Sequence, residues 1–249
     1  MLAEERCEEI LRIINETGSV TVQKLIGLTG ASEATLRRDL NLLAQKGLLV
    51  KVHGGAIALE MNSALRDSDV TVRSELNQEE KKQAAKYAAS LIGPDDFVFL
   101  DAGTTTGYLI DYLKVPADQV VFVTNGIMHA RKLAGKGYRV LLPGGELKGL
   151  TEALVGEEAI DNLKKYWFTK GFWGTNGIDP SAGFTTPDSR EARMKQAAMK
   201  QCRKCYVVGD SSKVSAISLV TFGSFSSAEV ILAREAGQPL KNFDNVILI

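Results

Sequence analysis

The feature of this sequence that most constrains its fold is a change in hydrophobic pattern partway along the chain. Up to residue 58, apolar side chains recur at the three-to-four-residue spacing of amphipathic helices. From residue 77 onward, short apolar runs alternate with helical segments, which indicates buried parallel strands covered by helices on both faces. We therefore predict an N-terminal domain over residues 1–58, a polar, aperiodic linker over 59–76 and a doubly wound parallel α/β domain over 77–249. Asn77 and Glu80 form a capping-box pattern at the start of the first helix of that domain.

Three helices are predicted in the N-terminal domain. The first covers residues 4–15. The second begins after Thr21, which occupies an N-cap position, and ends at Gly30. The third begins after the N-cap residue Ser32 and ends at Gly47. Its apolar stripe consists of Leu36, Leu40 and Leu43.

The third helix turns a polar face away from its leucine stripe. At 100° per residue, Arg37, Arg38 and Asn41 point away from the core. Arginine offers a bidentate fork to guanine or phosphate, asparagine pairs with adenine, and a helix N-terminus attracts phosphate. These groups predict a recognition helix that lies in the major groove of DNA.

Two short extended runs follow the third helix and flank His53-Gly54-Gly55. This pattern predicts a β-hairpin with Gly-Gly in its turn and with Lys51 and His53 near its tip. Short helices followed by a basic hairpin are the order of a winged helix-turn-helix, which binds double-stranded DNA. The predicted DNA contacts are Thr21, Ser32, Thr35, Arg37, Arg38, Asn41, Lys51 and His53. The alternative is a three-helix packing module whose arginines are solvated.

The overall charge does not favour nucleic acid, because 30 basic and 30 acidic residues give a formal net charge of zero. The distribution of charge does favour it. The first helix begins with acidic side chains, whereas basic ones cluster downstream. That cluster consists of Arg37, Arg38, Lys46, Lys51 and His53. One face of the domain therefore attracts phosphate while another carries the balancing acid.

The N-terminal motifs resemble a known family. The stretch from Glu-Arg near the start, through SEATLRRDL, to KVHGGA is similar to the DNA-binding domain of the DeoR family of bacterial repressors. The signature of that family is a Ser-x-x-Thr-x-Arg-Arg-Asp-Leu recognition helix followed by His-Gly-Gly-Ala. The matching positions are Ser32, Thr35, Arg37, Arg38, Asp39, Leu40, His53, Gly54, Gly55 and Ala56.

Small and polar residues follow several predicted strands of the second domain, where ligands bind in doubly wound sheets. The loop over residues 101–107 combines Gly103 with three threonine hydroxyls and precedes a helix predicted over 107–113, which makes it a candidate anion cradle. Lys213 follows a later strand and supplies a counter-charge for phosphate. The predicted ligand contacts are Asp101, Gly103, Thr104, Thr105, Thr106, Asn125, Gly126, Gly144 and Lys213. The alternative for the Gly-Thr-Thr-Thr sequence is a simple helix cap.

The resemblance extends to this second domain. DAGTTT, VTNG, PGGE, GTNGI and DSSK are similar to the sensor domain of the DeoR family, which is related in fold to ribose-5-phosphate isomerase and glucosamine-6-phosphate isomerase. The run over residues 174–201 most resembles repressors of fructose-utilisation operons. The resemblance implies a repressor whose DNA binding is controlled by a phosphorylated sugar, with fructose 1-phosphate as the effector. The residues leave open whether the effector releases the DNA or strengthens its binding, and release is the behaviour that the resemblance implies.

A phosphosugar isomerase is the main alternative function. Aldose–ketose isomerisation needs a base, usually a carboxylate, and an acid or cation that stabilises the enediolate. The resembled ribose-phosphate isomerases carry Asp-Gly-Ala-Asp-Glu after a mid-sheet strand, whereas this chain has WGTNGID near the matching place. Four carboxylates remain near the rim, namely Asp101, Glu146, Glu152 and Asp210. We interpret Asp101 and Asp210 as groups that orient hydroxyls and loops. We therefore predict that the protein is not an enzyme.

The remaining features predict no cofactor and no metal site. Cys202 and Cys205 form a single CxxC pair without further ligands, which is too few for a structural zinc. No apolar run reaches the ~18 residues that cross a bilayer, and the first ten residues are acidic, so we expect a cytoplasmic protein without a membrane partner. Recognition helices of this kind bind repeated half-sites as symmetric pairs, which predicts a homo-oligomer, a dimer or tetramer.

Overall fold

The N-terminal part of the chain forms three helices and a small antiparallel sheet around one core. The computed structural model describes residues 2–17, 19–46, 48–52, 54–58 and 70–249. The helices of this part are α1 (Ala3–Thr17), α2 (Val22–Thr29) and α3 (Glu33–Gln45). Its strands are β1 (Ser19–Thr21), β2 (Leu49–Val52) and β3 (Gly55–Ala58), with β3 in the middle. The leucine stripe of α3 packs in this core, as the sequence predicts.

The predicted ends of α2 and α3 are confirmed where they are described. Thr21 Oγ1 accepts the amide of Lys24 at 3.2 Å, and Ser32 Oγ accepts the amide of Thr35 at 3.3 Å. Gly30 ends α2 with a φ of 69°, a left-handed conformation that favours glycine. Gly47, the predicted end of α3, lies outside the described residues.

The hairpin differs from the prediction in its turn. Val52 pairs with Gly55, so Gly55 belongs to β3 and not to the turn. A Cβ atom at Gly55 would lie 2.2 Å from the carbonyl oxygen of Val20 in β1. Strand β1, which the sequence did not reveal, therefore approaches β3 at a distance that only glycine allows. The predicted DNA contact His53 lies outside the described residues.

Residues 70–249 form a second domain around a parallel sheet. Within this range the helices are α4 (Val70–Glu75), α5 (Gln78–Ser90), α6 (Thr104–Leu109), α7 (Ile127–Gly135), α8 (Glu157–Leu163) and α9 (Ser189–Lys200). The parallel strands are β4 (Phe97–Leu100), β5 (Val121–Thr124), β6 (Arg139–Leu141), β9 (Phe168–Gly174), β12 (Cys202–Val208), β14 (Glu229–Leu232) and β15 (Val246–Leu248). The smaller antiparallel pieces are β7 (Glu146–Lys148), β8 (Ala153–Val155), β10 (Gly177–Asp179), β11 (Gly183–Thr186) and β13 (Val220–Gly223). None of the described helices is long and apolar enough to span a membrane.

The order of the parallel strands reverses near the middle of the sheet. The sheet runs β15-β14-β12-β9-β4-β5-β6. From β4 the chain moves to β5 and β6 on one side, and it then returns to the other side of β4 with β9 and β12. The winding direction therefore reverses between β4 and β9. In open α/β sheets ligands bind beyond the carboxyl ends of the strands at such a switch point.

Alternate residues of the central strands pack on opposite faces of the sheet. Val98 and Leu100 of β4 join a core that includes the alanines of α5, whereas Phe99 joins a second core with residues of α8 and α9. Phe172 and Trp173 of β9 divide between the two cores in the same way. Helices thus cover both faces, and the predicted doubly wound α/β fold is confirmed.

Part of the predicted linker forms a helix that packs on the second domain. The amide of Val70, at the start of α4, donates to the carbonyl oxygen of Leu150 at 3.2 Å. The sequence predicts no helix in this stretch, because residues 70–75 have little apolar periodicity and the helix is stabilised by contacts with residues distant in sequence. Residues 59–69 lie outside the described part of the chain.

The predicted capping box at the start of α5 is wrong. Asn77 has a φ of 49° and its side chain makes no cap hydrogen bond. Instead, Asn77 Nδ2 donates to Asp210 Oδ1 at 2.7 Å, and Glu80 Oε2 accepts the amide of Ser211 at 2.6 Å. The two polar side chains thus join the start of α5 to the loop after β12.

Candidate functional sites

The exposed face of α3 carries one cation without a partner. Arg38 is exposed and forms no hydrogen bond or ion pair within the described residues. Arg37 pairs with Glu33, whose Oε1 lies 2.7 Å from Nη2. Lys51 Nζ of β2 donates to Asn41 Oδ1 at 2.6 Å, which leaves the amide nitrogen of Asn41 to donate outward.

The hydroxyl groups among the predicted DNA contacts have internal hydrogen bonds. Ser32 Oγ and Thr35 Oγ1 lie 2.9 Å apart at the N-terminus of α3, and Thr21 caps α2. Their first role in the structure is to fix the ends of these helices. That they also contact DNA stays a prediction.

The aspartate of the Arg-Arg-Asp-Leu motif faces the interior of the domain. Asp39 is 8% exposed. Arg6 Nε donates to Asp39 Oδ2 at 2.6 Å and Nη2 donates to Oδ1 at 3.3 Å. This bidentate pair connects α1 to α3 and orients the recognition face. The Glu-Arg pair near the start of the chain and the helix motif thus meet in one contact.

A pocket lies at the switch point between β4 and β9, and we call it the switch-point pocket. Its walls are the loops after β4, β9 and β12, together with residues of α4, α5 and α9. Four of the predicted ligand contacts line it: Gly103, Thr104, Thr105 and Lys213. The helix α6 begins at Thr104, earlier than predicted, so the three threonines form its first turn. The amides of such a turn have no acceptor within the helix.

The other predicted ligand contacts are not part of the pocket lining. Asn125 Oδ1 accepts the amide of Ala102 at 2.9 Å, and the Thr106 hydroxyl donates to the carbonyl oxygen of Asp101 at 2.7 Å. Gly126 allows close contact with Ala102, since a Cβ atom there would lie 3.0 Å from the Ala102 methyl group. These residues shape the loop over 101–107 from behind. Gly144 lies elsewhere, near Glu158 and Asn162, because the β6–β7 connection turns away from the pocket.

A buried histidine supports the same loop. His129 Nε2 lies 2.9 Å from the carbonyl oxygen of Gly103 and 3.2 Å from Thr106 Oγ1. Burial lowers the pKa of His129 to about 4. The ring is therefore neutral at pH 7, and protonation at Nε2 lets it donate to Gly103. This role could not be predicted from the sequence, because a lone histidine on a helix is most often a packing residue.

The carboxylates at the switch-point pocket are all engaged by protein groups. Asp101 Oδ2 accepts from Lys195 Nζ and from the amide of Gly174. Burial raises the pKa of Asp101, and the Lys195 ammonium opposes that shift. Side chains of the protein also donate hydrogen bonds to the other two carboxylates, those of Glu191 and Asp210. Glu191 accepts from Thr151 and Lys148, and Asp210 accepts from Asn77 and Ser212.

Two of the cations at the pocket lack such partners. The lining contains four cationic side chains: Arg73, Lys81, Lys195 and Lys213. Within the described residues, the Nε atom of Arg73 is buried without a hydrogen-bond partner, and the Lys213 amine forms no hydrogen bond or ion pair. Burial lowers the pKa of Lys213, and it lowers the pKa of Lys81 to about 8. A buried donor without an acceptor is costly, so this arrangement favours an anionic ligand.

The sequence did not point to several of these residues. Arg73 lies in a segment without periodicity, and Lys81 lies in a charged first turn of its helix, where a solvated lysine is the usual expectation. Glu191 and Lys195 are one helical turn apart, which is typical of exposed ion pairs. Only the long-range packing of α4, α5 and α9 around the strand ends brings them together. The GTNG loop was a visible signal, and its Thr175 and Asn176 do line the pocket.

Two family descriptions match the chain. Residues 6–62 match a DeoR-like helix-turn-helix domain, and residues 76–234 match a DeoR C terminal sensor domain. The HTH-type transcriptional regulator FruR of Bacillus subtilis (strain 168) is 43% identical over 232 residues, which cover 93% of this chain and 91% of that protein. The putative aga operon transcriptional repressor of Escherichia coli O157:H7 is 34% identical, covering 93% and 86%. The lactose phosphotransferase system repressor of Staphylococcus aureus (strain NCTC 8325 / PS 47) is 33% identical, covering 98% of each chain.

Solved structures align more loosely. Ribose 5-phosphate isomerase A of Methanocaldococcus jannaschii is 13% identical with a TM-score of 0.42, and the alignment covers 56% of each chain. An alignment at this level carries no functional argument.

Proposed function

The chain belongs to the DeoR family of transcriptional regulators, and we propose that it represses a sugar-utilisation operon under the control of a phosphorylated sugar in the switch-point pocket. The winged domain binds operator DNA through α3 and the hairpin. The sensor domain binds the effector at the strand ends. The effector that the run over residues 174–201 favours is fructose 1-phosphate, and its binding releases the DNA.

The observation that carries the effector assignment is the pair of cationic side chains in the switch-point pocket, Arg73 and Lys213, that form no ion pair within the described residues. Arg73 and Lys213 supply donors to a phosphate, while Asp101, Glu191 and Asp210 are held by other groups. The hydroxyls of Thr104 and Thr105 provide donors and acceptors suited to sugar hydroxyls. The relatives named as repressors of the aga operon and of a lactose phosphotransferase system support a sugar-linked operon.

The DNA assignment rests on the exposed face of α3. Arg38 is the free cation of that face among the described residues, and Asn41 is oriented by Lys51. A pair of such domains reads two half-sites, so the active repressor is a symmetric homo-oligomer. Arg38 and Asn41 contact base edges or phosphates, and Lys51 contacts the flanking backbone.

Replacing Arg38 by alanine is expected to weaken operator binding by about 10- to 100-fold, the value of one good arginine contact. The measurement is fluorescence anisotropy at physiological salt with a labelled upstream fragment from the protein's own operon. Arg12→Ala is the matched control, because Arg12 is exposed on α1 and pairs with Glu9 and Glu16. Unchanged affinity of Arg38→Ala would show that the recognition face is assigned wrongly.

The effector assignment is tested by titrating the operator complex with fructose 1-phosphate, other sugar phosphates and free fructose. We expect release by a phosphosugar and not by free fructose. In Lys213→Gln, the effector concentration for half-release is expected to rise by roughly 10-fold or more, since a charged hydrogen bond to phosphate is lost. A complex indifferent to every phosphosugar would leave the DNA-binding assignment in place and refute the effector. Normal release in Lys213→Gln would refute the assigned pocket.

A further inference from the structure

The helix α4 connects the switch-point pocket to the segment that joins the two domains in sequence. It begins at Val70, directly after residues 59–69, which lie between the winged domain and the sensor domain. Arg73 of α4 and Leu76 just after it line the pocket. A ligand in the pocket therefore touches the stretch of chain from which the winged domain is held.

The contacts that place α4 are made through its backbone. The amide of Val70 donates to Leu150 at 3.2 Å, and the Tyr108 hydroxyl donates to the carbonyl oxygen of Ser74 at 3.1 Å. Lys81 Nζ donates to the carbonyl oxygen of Arg73 at 2.5 Å. A six-residue helix has little stability of its own, so its position depends on such contacts.

The side chain of Arg73 carries a hydrogen-bond donor that none of these contacts uses. Its Nε is buried without an acceptor, and the guanidinium forms no ion pair within the described residues. Lys213 lies at the same pocket on the loop after β12, which belongs to the body of the sheet. An anionic group between them would contact α4 through Arg73 and the loop after β12 through Lys213.

We infer that Arg73 is the residue that couples effector binding to operator binding: the anionic group of the effector joins Arg73 on α4 to Lys213 on the sheet and fixes α4 in its docked position. This inference rests on the proposed function. The effector binds more tightly when α4 is docked, and this difference in affinity is the free energy available to change how the winged domain is held. Lys213 contributes to affinity in either position of α4, whereas Arg73 contributes only in one.

The test measures the coupling factor, which is the ratio of the Kd of fructose 1-phosphate with and without saturating operator DNA. Thermodynamic coupling of this kind typically gives a ratio between about 5 and 150 in the native protein. Arg73→Gln is expected to bring the ratio close to 1. Lys213→Gln is expected to weaken fructose 1-phosphate binding in both measurements and to keep the ratio of the native protein. Lys86→Gln, an exposed charge removal on α5, controls for net charge.

A second measurement is needed if Arg73→Gln binds fructose 1-phosphate too weakly for the coupling factor to be determined. Hydrogen exchange of the amides of residues 70–76 in the full-length native protein is expected to slow by several-fold when fructose 1-phosphate is added. Arg73→Lys, which keeps the charge, is expected to restore part of both effects. A native-like ratio in Arg73→Gln, or exchange at 70–76 that ignores bound effector, would overturn the inference while the proposed function stands. Operator binding that ignores every phosphosugar in the native protein would overturn both.

Discussion

Replacing Lys195 by methionine is expected to lower the free energy of unfolding of the sensor domain by about 3–5 kcal/mol, the cost of leaving a buried charge without its partner. Lys195 and Asp101 are 5% and 1% exposed, and Lys195 Nζ contacts both Asp101 Oδ2 and the carbonyl oxygen of Gly174. Methionine fills similar space but supplies no charge. The Asp101 carboxylate would then remain buried with only the Gly174 amide as donor.

Urea unfolding followed by tryptophan fluorescence measures this effect. Both tryptophans of the chain, Trp167 and Trp173, lie in the sensor domain, so the signal reports that domain alone. The matched variant is Lys195→Met combined with Asp101→Asn, which removes both charges and is expected to recover a large part of the loss. The buried pair would be contradicted if the free energy of unfolding of Lys195→Met lay within about 1 kcal/mol of the native value. It would also be contradicted if the double variant lost as much stability as the two single variants together.

Replacing Gly55 by alanine is expected to destabilise the winged domain by about 3 kcal/mol, because the new methyl group forces backbone movement. Its Cβ atom would lie 2.2 Å from the carbonyl oxygen of Val20 and 3.1 Å from Cα of Thr21. Strand β1 must then separate from β3, which displaces the hairpin relative to α3. We expect operator affinity to fall together with stability.

Gly27→Ala is a control that is expected to change the stability of the winged domain in the opposite direction. Gly27 lies within α2 and has no atom within 4 Å of its Cβ position, so alanine there is expected to stabilise the helix by about 0.5–1 kcal/mol. Circular dichroism at 222 nm in urea, compared with the tryptophan transition, separates the winged domain from the sensor domain. Equal stability of the two glycine variants would show that β1 and β3 do not pair as described.

The sequence predicts well those parts of the structure that depend on local chemistry. Thr21 and Ser32 cap their helices because the side-chain oxygen accepts a hydrogen bond from the amide three residues later. This spacing can be recognised in the sequence alone. The loop over 101–107 could be placed at a strand end because short apolar runs mark the strands.

What the sequence did not predict depends on contacts between distant residues. Asn77 has the type and spacing of a capping residue, but a hydrogen bond to Asp210, 133 positions away, takes its amide instead. The sequence predicts that Gly55 is a turn residue. In the structure a side chain is excluded there because strand β1, more than thirty residues earlier in the chain, packs against it. Arg73 lines the pocket only because α4 packs against α6 and the start of α5.

The strand order also has a consequence for the newly made chain. The surface of α3 and the hairpin is complete by residue 58, whereas the switch-point pocket needs the loop after β12, around residues 209–213. Because N-terminal domains fold first during synthesis, each chain passes through a stage in which it holds the surface of α3 and the hairpin before the pocket exists. Under the proposed function, a chain that stops short of residue 209 lacks the pocket through which a sugar phosphate releases the DNA.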